Sequence, residues 1–92
     1  MKHINQPQFI IMYNEHIRWL RTLGSYGTCL DLSNCDCRDL NLSGCDLRFA
    51  DMRYANLSFV NLRKSNLSNA NLFKTCCYLT QFNDAKYDNI HV

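Results

Sequence analysis

The chain has 92 residues, a formal net charge of +2, 12% aromatic residues and six cysteines, which bounds it to one domain near the lower size limit for a self-sufficient core. No run of about 18 apolar residues occurs, which argues against a membrane-spanning helix. The N-terminus lacks the charged, apolar, then small pattern of a secretory signal, so a cytoplasmic location is expected.

In chain order, residues 1–5 read as a loose lead-in. Asn5 then offers a helix cap, with Gln8 three residues on as its capping-box partner and Pro7 in the first turn. Arg18 and Arg21 suit the last turns and Gly24 a stop, which predicts a helix over residues 7–23. Its wheel gathers Phe9, Ile10, Met12, Tyr13, His16, Ile17, Trp19, Leu20 and Leu23 on one side. Ile11 is the one apolar residue left on the polar side. That arc spans about half the circumference, wider than the ~100° a surface helix needs. The helix is expected to lie over the end of the following segment, with Met12, Tyr13, Ile17, Trp19 and Leu20 as the contacting residues. The surplus arc, Trp19 and Met12 in particular, is a candidate contact with another subunit. His16, mid-arc, has no carboxylate or nucleophile beside it and reads as a packing residue. Residues 1–29 therefore form a helix and connector, with Gly24 and Gly27 as turn residues.

From residue 30 to 92 the chain changes character. Every fifth residue from Leu32 is apolar: Cys37, Leu42, Leu47, Met52, Leu57, Leu62, Leu67, Leu72, Cys77, Phe82, Tyr87, Val92. Two residues before each lies a second, mostly small register that includes Leu30, Cys35, Cys45, Ala50, Ala55, Ser65 and Ala70. Asp or Asn stands between the two from Asp31 to Asn71. A period of five fits neither a helix, near 3.6, nor a strand, at 2. A fixed short period points to a solenoid of stacked units. Each unit sends two side chains inward and holds its Asp or Asn outward, where it can bond nearby backbone and favour a turn.

Ala50-Asp51-Met52, Ala55-Asn56-Leu57 and Ala70-Asn71-Leu72, with Cys45-Asp46-Leu47, Val60-Asn61-Leu62 and Ser65-Asn66-Leu67 as close variants, resemble the pentapeptide repeat family. The resemblance implies an all-β solenoid, a right-handed quadrilateral β-helix of about three coils, with positions twenty residues apart stacked. Toward the C-terminus Cys76, Gln81, Lys86 and His91 replace the Asp/Asn position, and Phe82 and Tyr87 are expected to plug the axis end. Some relatives that act on DNA gyrase present an acidic, DNA-like rod and often dimerise through a C-terminal helical segment. This chain shows no such helix before Val92, and its repeat is formally neutral, a poor copy of a duplex with one charge per ~1.7 Å. A homodimer, coil end to coil end or along one side, is a further expectation.

Cys35, Cys37, Cys45 and Cys77 fall on inward registers, where Cys acts as a small hydrophobe. No zinc-type spacing joins them, so neither a metal nor a cofactor is expected. One Glu, three His and a structural Asp/Asn ladder supply no convergent catalytic set. Nucleic-acid binding is disfavoured because cations are spread over several sides and offset by Asp. What stands out are aromatics at outward positions. Stacking by twenty places Arg53 and Tyr54 beside Phe73 and Lys74, and Phe59 beside Tyr78 and Leu79 on the next side, with Phe49 adjoining. These rings either stack along the tube and only stiffen it, or form a protein-docking surface rimmed by Arg48, Arg53, Arg63 and Lys74. The leading expectation is a non-enzymatic protein-binding module, an inhibitor or adaptor, whose partner is a bacterial DNA-handling or defence complex. The alternatives are a DNA-mimic modulator of gyrase and a self-associating structural protein.

Overall fold

The apolar register turns inward and is sealed. In a computed structural model that describes residues 1–92, Leu32, Cys37, Leu42, Leu47, Met52, Leu57, Leu62 and Leu67 are fully buried. The second register packs beside them: Leu30, Cys35, Leu40, Ala50, Ala55, Val60, Ser65 and Ala70 are buried, and Cys45 is half-buried. Parallel bridges join each Asp/Asn position to the one twenty residues on, from Asp31–Asp51, Asp36–Asn56, Asn41–Asn61 and Asp46–Asn66 to Asn71–His91. A shift of twenty with a unit of five makes four walls per turn. Each rung is bonded twice to the next. The Asp51 amide donates to the Leu30 carbonyl at 2.9 Å, and the Leu32 amide donates to the Asp51 carbonyl at 2.7 Å.

The corners follow from the same unit. The Oδ1 of the Asp or Asn accepts the amide two residues on at all nine such positions, as in Ser33 to Asp31 (2.9 Å) and Phe73 to Asn71 (3.0 Å). The fourth residue of the turn then closes back, as the Cys35 amide does on the Leu32 carbonyl at 3.2 Å. The residue between them has positive φ at every corner, the signature of a type II turn.

Helix α1 runs Gln6–Arg21, starting one residue and ending two residues earlier than the sequence predicts. The capping box is present: Oδ1 of Asn5 accepts the Gln8 amide, and Oε1 of Gln8 accepts the Asn5 amide, both at 2.9 Å. Thr22 ends it, its hydroxyl donating to the Arg18 carbonyl at 2.8 Å and accepting the Tyr26 amide at 3.0 Å. Leu23 therefore leaves the wheel and is 94% exposed. Ile10, also expected inside, is nearly half exposed, so the apolar arc is narrower than the wheel suggests.

The lead-in expected at residues 1–5 is instead part of the sheet. Strand β1, Lys2–His3, pairs in parallel with β2, Cys35–Asp36, and Ile4 is buried in the core. Burial of Ile4 and the Ile4 amide's bond to the Asp36 carbonyl at 3.0 Å supply what ordering this short segment needs. The edge amides of the second, third and fourth walls thus find partners in the N-terminal segment, and the first wall is tied to it through the Leu30 amide. β1 serves the second wall. The Gln6 side chain acts as a one-residue strand on the third, accepting the Asn41 amide and donating to the Asn41 carbonyl, both at 2.9 Å. The Tyr13 hydroxyl accepts the Asp46 amide at 2.8 Å on the fourth, and Nδ1 of His16 accepts the Leu30 amide at 2.9 Å on the first. His16 is thus more than the packing residue the sequence suggests. Removing one of these acceptors strands a half-buried amide, so Tyr13→Phe is expected to cost about 1–3 kcal/mol in chemical denaturation.

The connector docks on the helix backbone. A Cβ on Gly27 (φ +79°) would lie 2.4 Å from the Glu15 carbonyl oxygen and 2.6 Å from the Trp19 nitrogen. Gly27→Ala is therefore expected to lower the unfolding free energy by about 3 kcal/mol, read in urea, because both the left-handed backbone and the contact resist it. At the far end the last coil is more open than the sequence suggests. Phe82 is half-buried and packs against the core, but Tyr87 is 58% exposed and does not plug the axis as expected, and Cys77, expected to face inward, is exposed. Together with Leu67, Leu72, Thr75, Ile90 and Val92 they line a concavity of about 340 Å³. No helix is long and apolar enough to cross a membrane.

Candidate interaction surface

Two corners of the tube carry stacked aromatics. On the first, Tyr54 and Phe73 lie 5.8 Å apart between ring centroids, and His91 continues the stack at 6.3 Å from Phe73. On the next, Phe59 meets Tyr78 edge-on at 5.7 Å, with Leu79 beside it in sequence and 61% exposed. Tyr54 and Phe59 remain about half exposed despite the stacking. The backbone places them in register: the Tyr54 amide donates to the Phe73 carbonyl, and the Phe59 amide to the Tyr78 carbonyl, both at 2.9 Å. The wall between these corners presents Asn56, Ser58 and Cys76. Ser58 is buried, its hydroxyl 2.6 Å from Asn56 Oδ1 and 3.3 Å from Cys76 Sγ.

The positions these residues occupy are unfavourable for them. Phe49 (φ +66°), Tyr54 (+61°), Phe59 (+63°) and Leu79 (+54°) all adopt the left-handed backbone of the corner. Bulky L-residues are disfavoured there by roughly 1–2 kcal/mol each. Elsewhere the same slot holds Asn34, Asp39, Gly44, Asn69, Asp84 and Asn89, residues that tolerate it, and the exposed Lys64 and Lys74.

Phe49 does not join the other aromatics. Its ring meets Trp19 at 6.2 Å, and Trp19 stacks in turn on His16 at 6.1 Å. Of the helix residues expected to make contacts, Met12 and Tyr13 pack against the core. Ile17 and Leu20 are half-buried over a shallow hollow shared with Arg21, Asp46 and Arg48.

The basic rim is altered by pairing that the sequence reading missed. Arg38, Arg48 and Arg53 each grip the carboxylate two residues before them, Asp36, Asp46 and Asp51, through Nε and Nη2 at 2.7–2.9 Å. The Asp-x-Arg spacing was the available signal, since the Asp/Asn slot and the first corner residue point to the same side. The Arg38 guanidinium holds Asp36 down at about 2, and Arg48 and Arg53 likewise lower Asp46 and Asp51. These exposed pairs add little stability, but they cancel charge. Lys74 stays exposed, its Nζ 5.4 Å from the Phe73 ring centre.

All six cysteines are free thiols. Burial pushes Cys37 up to about 12 and raises Cys35 and Cys45, which keeps them protonated. The exposed Cys76 lies in the other direction, lowered by the Ser58 hydroxyl and the Tyr78 amide.

A four-walled solenoid built from five-residue units, with its variety confined to the corners, defines a class of protein in which a rigid rod displays a surface. The sequence comparison agrees with the geometry. The family model of pentapeptide repeats matches in eight copies, over residues 31–69 and 50–86. The chain belongs to the pentapeptide repeat family, whose members are generally protein-interaction modules rather than enzymes. Among solved structures it is similar to a pentapeptide repeat protein (Rfr23) from the cyanobacterium Cyanothece 51142, at 31% identity and a TM-score of 0.65. That match covers 66% of this chain and 42% of the other, so this chain spans less than half of its relative's length. No curated protein matches.

Proposed function

We propose that this protein is an inhibitor or adaptor that acts in the cytoplasm by docking its two aromatic corners on a partner protein. In this reading residues 30–92 form a β-helix of about three coils, residues 1–29 close its first end, and Tyr54, Phe73, Phe59, Tyr78 and Leu79 meet the partner. Lys74 and the paired Arg53 stand at the rim. One observation carries the proposal: large apolar side chains occupy left-handed corner positions that favour Asn, Asp or Gly, and then remain about half exposed. Strain retained without burial points to a use outside the fold. The Asp–Arg pairs argue against a DNA mimic, since they neutralise the carboxylates that such a mimic would present.

The test is affinity capture with the native chain against a Tyr54→Asn, Phe59→Asn, Tyr78→Ser variant. Loss of the captured proteins supports the assignment, and an unchanged set removes it. Light scattering on the same pair identifies self-association, which appears as a dimer lost in the variant with no captured partner. Altered supercoiling by gyrase at near-stoichiometric protein would instead favour the mimic.

A further inference from the structure

His16 is fully buried where α1 meets the first coil, and only one of its ring nitrogens has a partner. Nδ1 accepts the Leu30 amide at 2.9 Å, so this nitrogen carries no proton. The single ring proton sits on Nε2, which is buried and meets no acceptor. The ring is sandwiched on its own helix between Tyr13, 6.4 Å away, and Trp19, 6.1 Å away. The charged groups that face it from the first coil are Asp46 and Arg48. They are bound to each other at 2.7 Å, so the Asp46 carboxylate, which favours an imidazolium, is shared with Arg48, and burial of the ring outweighs it. From the connector comes the Leu30 amide, a donor.

A second proton has only Nδ1 to occupy. There it would point at the Leu30 N–H, converting a donor–acceptor pair into two opposed donors and burying a cation beside Arg48. We propose that His16 is a proton-operated latch, which when neutral fastens α1 to the first coil through the Leu30 amide and when protonated releases it. Release uncovers the edge of the first coil for pairing with another strand. Burial lowers the His16 basicity, so the latch holds at neutral pH and opens as the pH falls below the ordinary imidazole range. Asp36, Asp46 and Asp51 are each held below the ordinary carboxylate range by their arginine partners.

The experiment follows the Leu30 amide by hydrogen exchange, corrected for intrinsic pH dependence, with Trp19 emission in parallel. The native chain is compared with His16→Asn, whose Oδ1 can accept the Leu30 amide and cannot be protonated. In the native chain acidification should cut protection at Leu30 by roughly tenfold or more and change the Trp19 emission, while the mid-tube Leu57 amide stays protected. His16→Asn should show neither change. An identical acid response in the variant overturns the latch. If the variant does not fold, a titration of the native chain decides by nuclear magnetic resonance. Leu30 losing protection in step with His16 protonation upholds the latch; His16 titrating while Leu30 stays protected overturns it.

Discussion

Leu57→Ala is expected to lower the unfolding free energy by about 3 kcal/mol in urea, monitored by circular dichroism. Leu57 is fully buried, and its amide donates to the Cys76 carbonyl at 2.8 Å. Residues twenty away, Cys37 and Cys77, sit at the same register below and above it. A cavity there cannot be filled from the side, because the walls are fixed by rung bonds on both edges. A domain of this size has roughly 5–14 kcal/mol in all, so a single axis truncation removes a large share. Leu79→Ala, the same deletion at an exposed corner, should change stability by about 0.5 kcal/mol or less. If the two variants melt alike, the inward register has been assigned wrongly.

The Tyr54→Asn, Phe59→Asn, Tyr78→Ser variant should do the reverse. Two ring pairs are lost, worth about 0.5–1.5 kcal/mol each. Against this, Asn relieves left-handed strain at two corners. The net change in stability is expected to stay within about 1 kcal/mol, while partner affinity falls at least about a hundredfold, as loss of central aromatic anchors does. Thermal melting and a binding titration against the captured partner read both quantities. A variant that binds normally would reduce the corner rings to stiffening elements. One that unfolds would show that the corners belong to the fold.

The tube was legible because its cause is local and repeated. Leu32 to Leu72 mark the axis every five residues, and Asp31 to Asn71 mark each turn, so one unit read correctly fixes the others. The number of walls needed the family resemblance, since a period of five does not state how many units close a circuit. The first coil's edge was not legible. Nothing in Lys2–His3 marks a strand two residues long, and the roles of Gln6, Tyr13 and His16 depend on which wall each side chain reaches. The helix outline survived because Asn5 and Gln8 set its start; its end shifted because the Thr22 hydroxyl competes for the last carbonyls. At the candidate surface the pairing of Tyr54 with Phe73 and of Phe59 with Tyr78 followed from stacking by twenty. Phe49 escaped it because the positions twenty away are Cys29 and Asn69, so its ring meets Trp19 of the helix instead. The left-handed corners were hidden because φ follows from turn closure, which residue type alone does not specify.

The N-terminal segment supplies acceptors to the coil that follows it, and each later rung bonds the one twenty residues earlier. Contacts so far apart in sequence make a slow, entropically costly start. Here the start is prepaid by a capped helix and a strand that are synthesised before anything needs to stack on them. Assembly would therefore run in one direction, each completed circuit serving as the template for the next as the chain leaves the ribosome. Insertions near residue 80 should leave the earlier circuits standing, whereas damage near residue 10 should prevent any from forming.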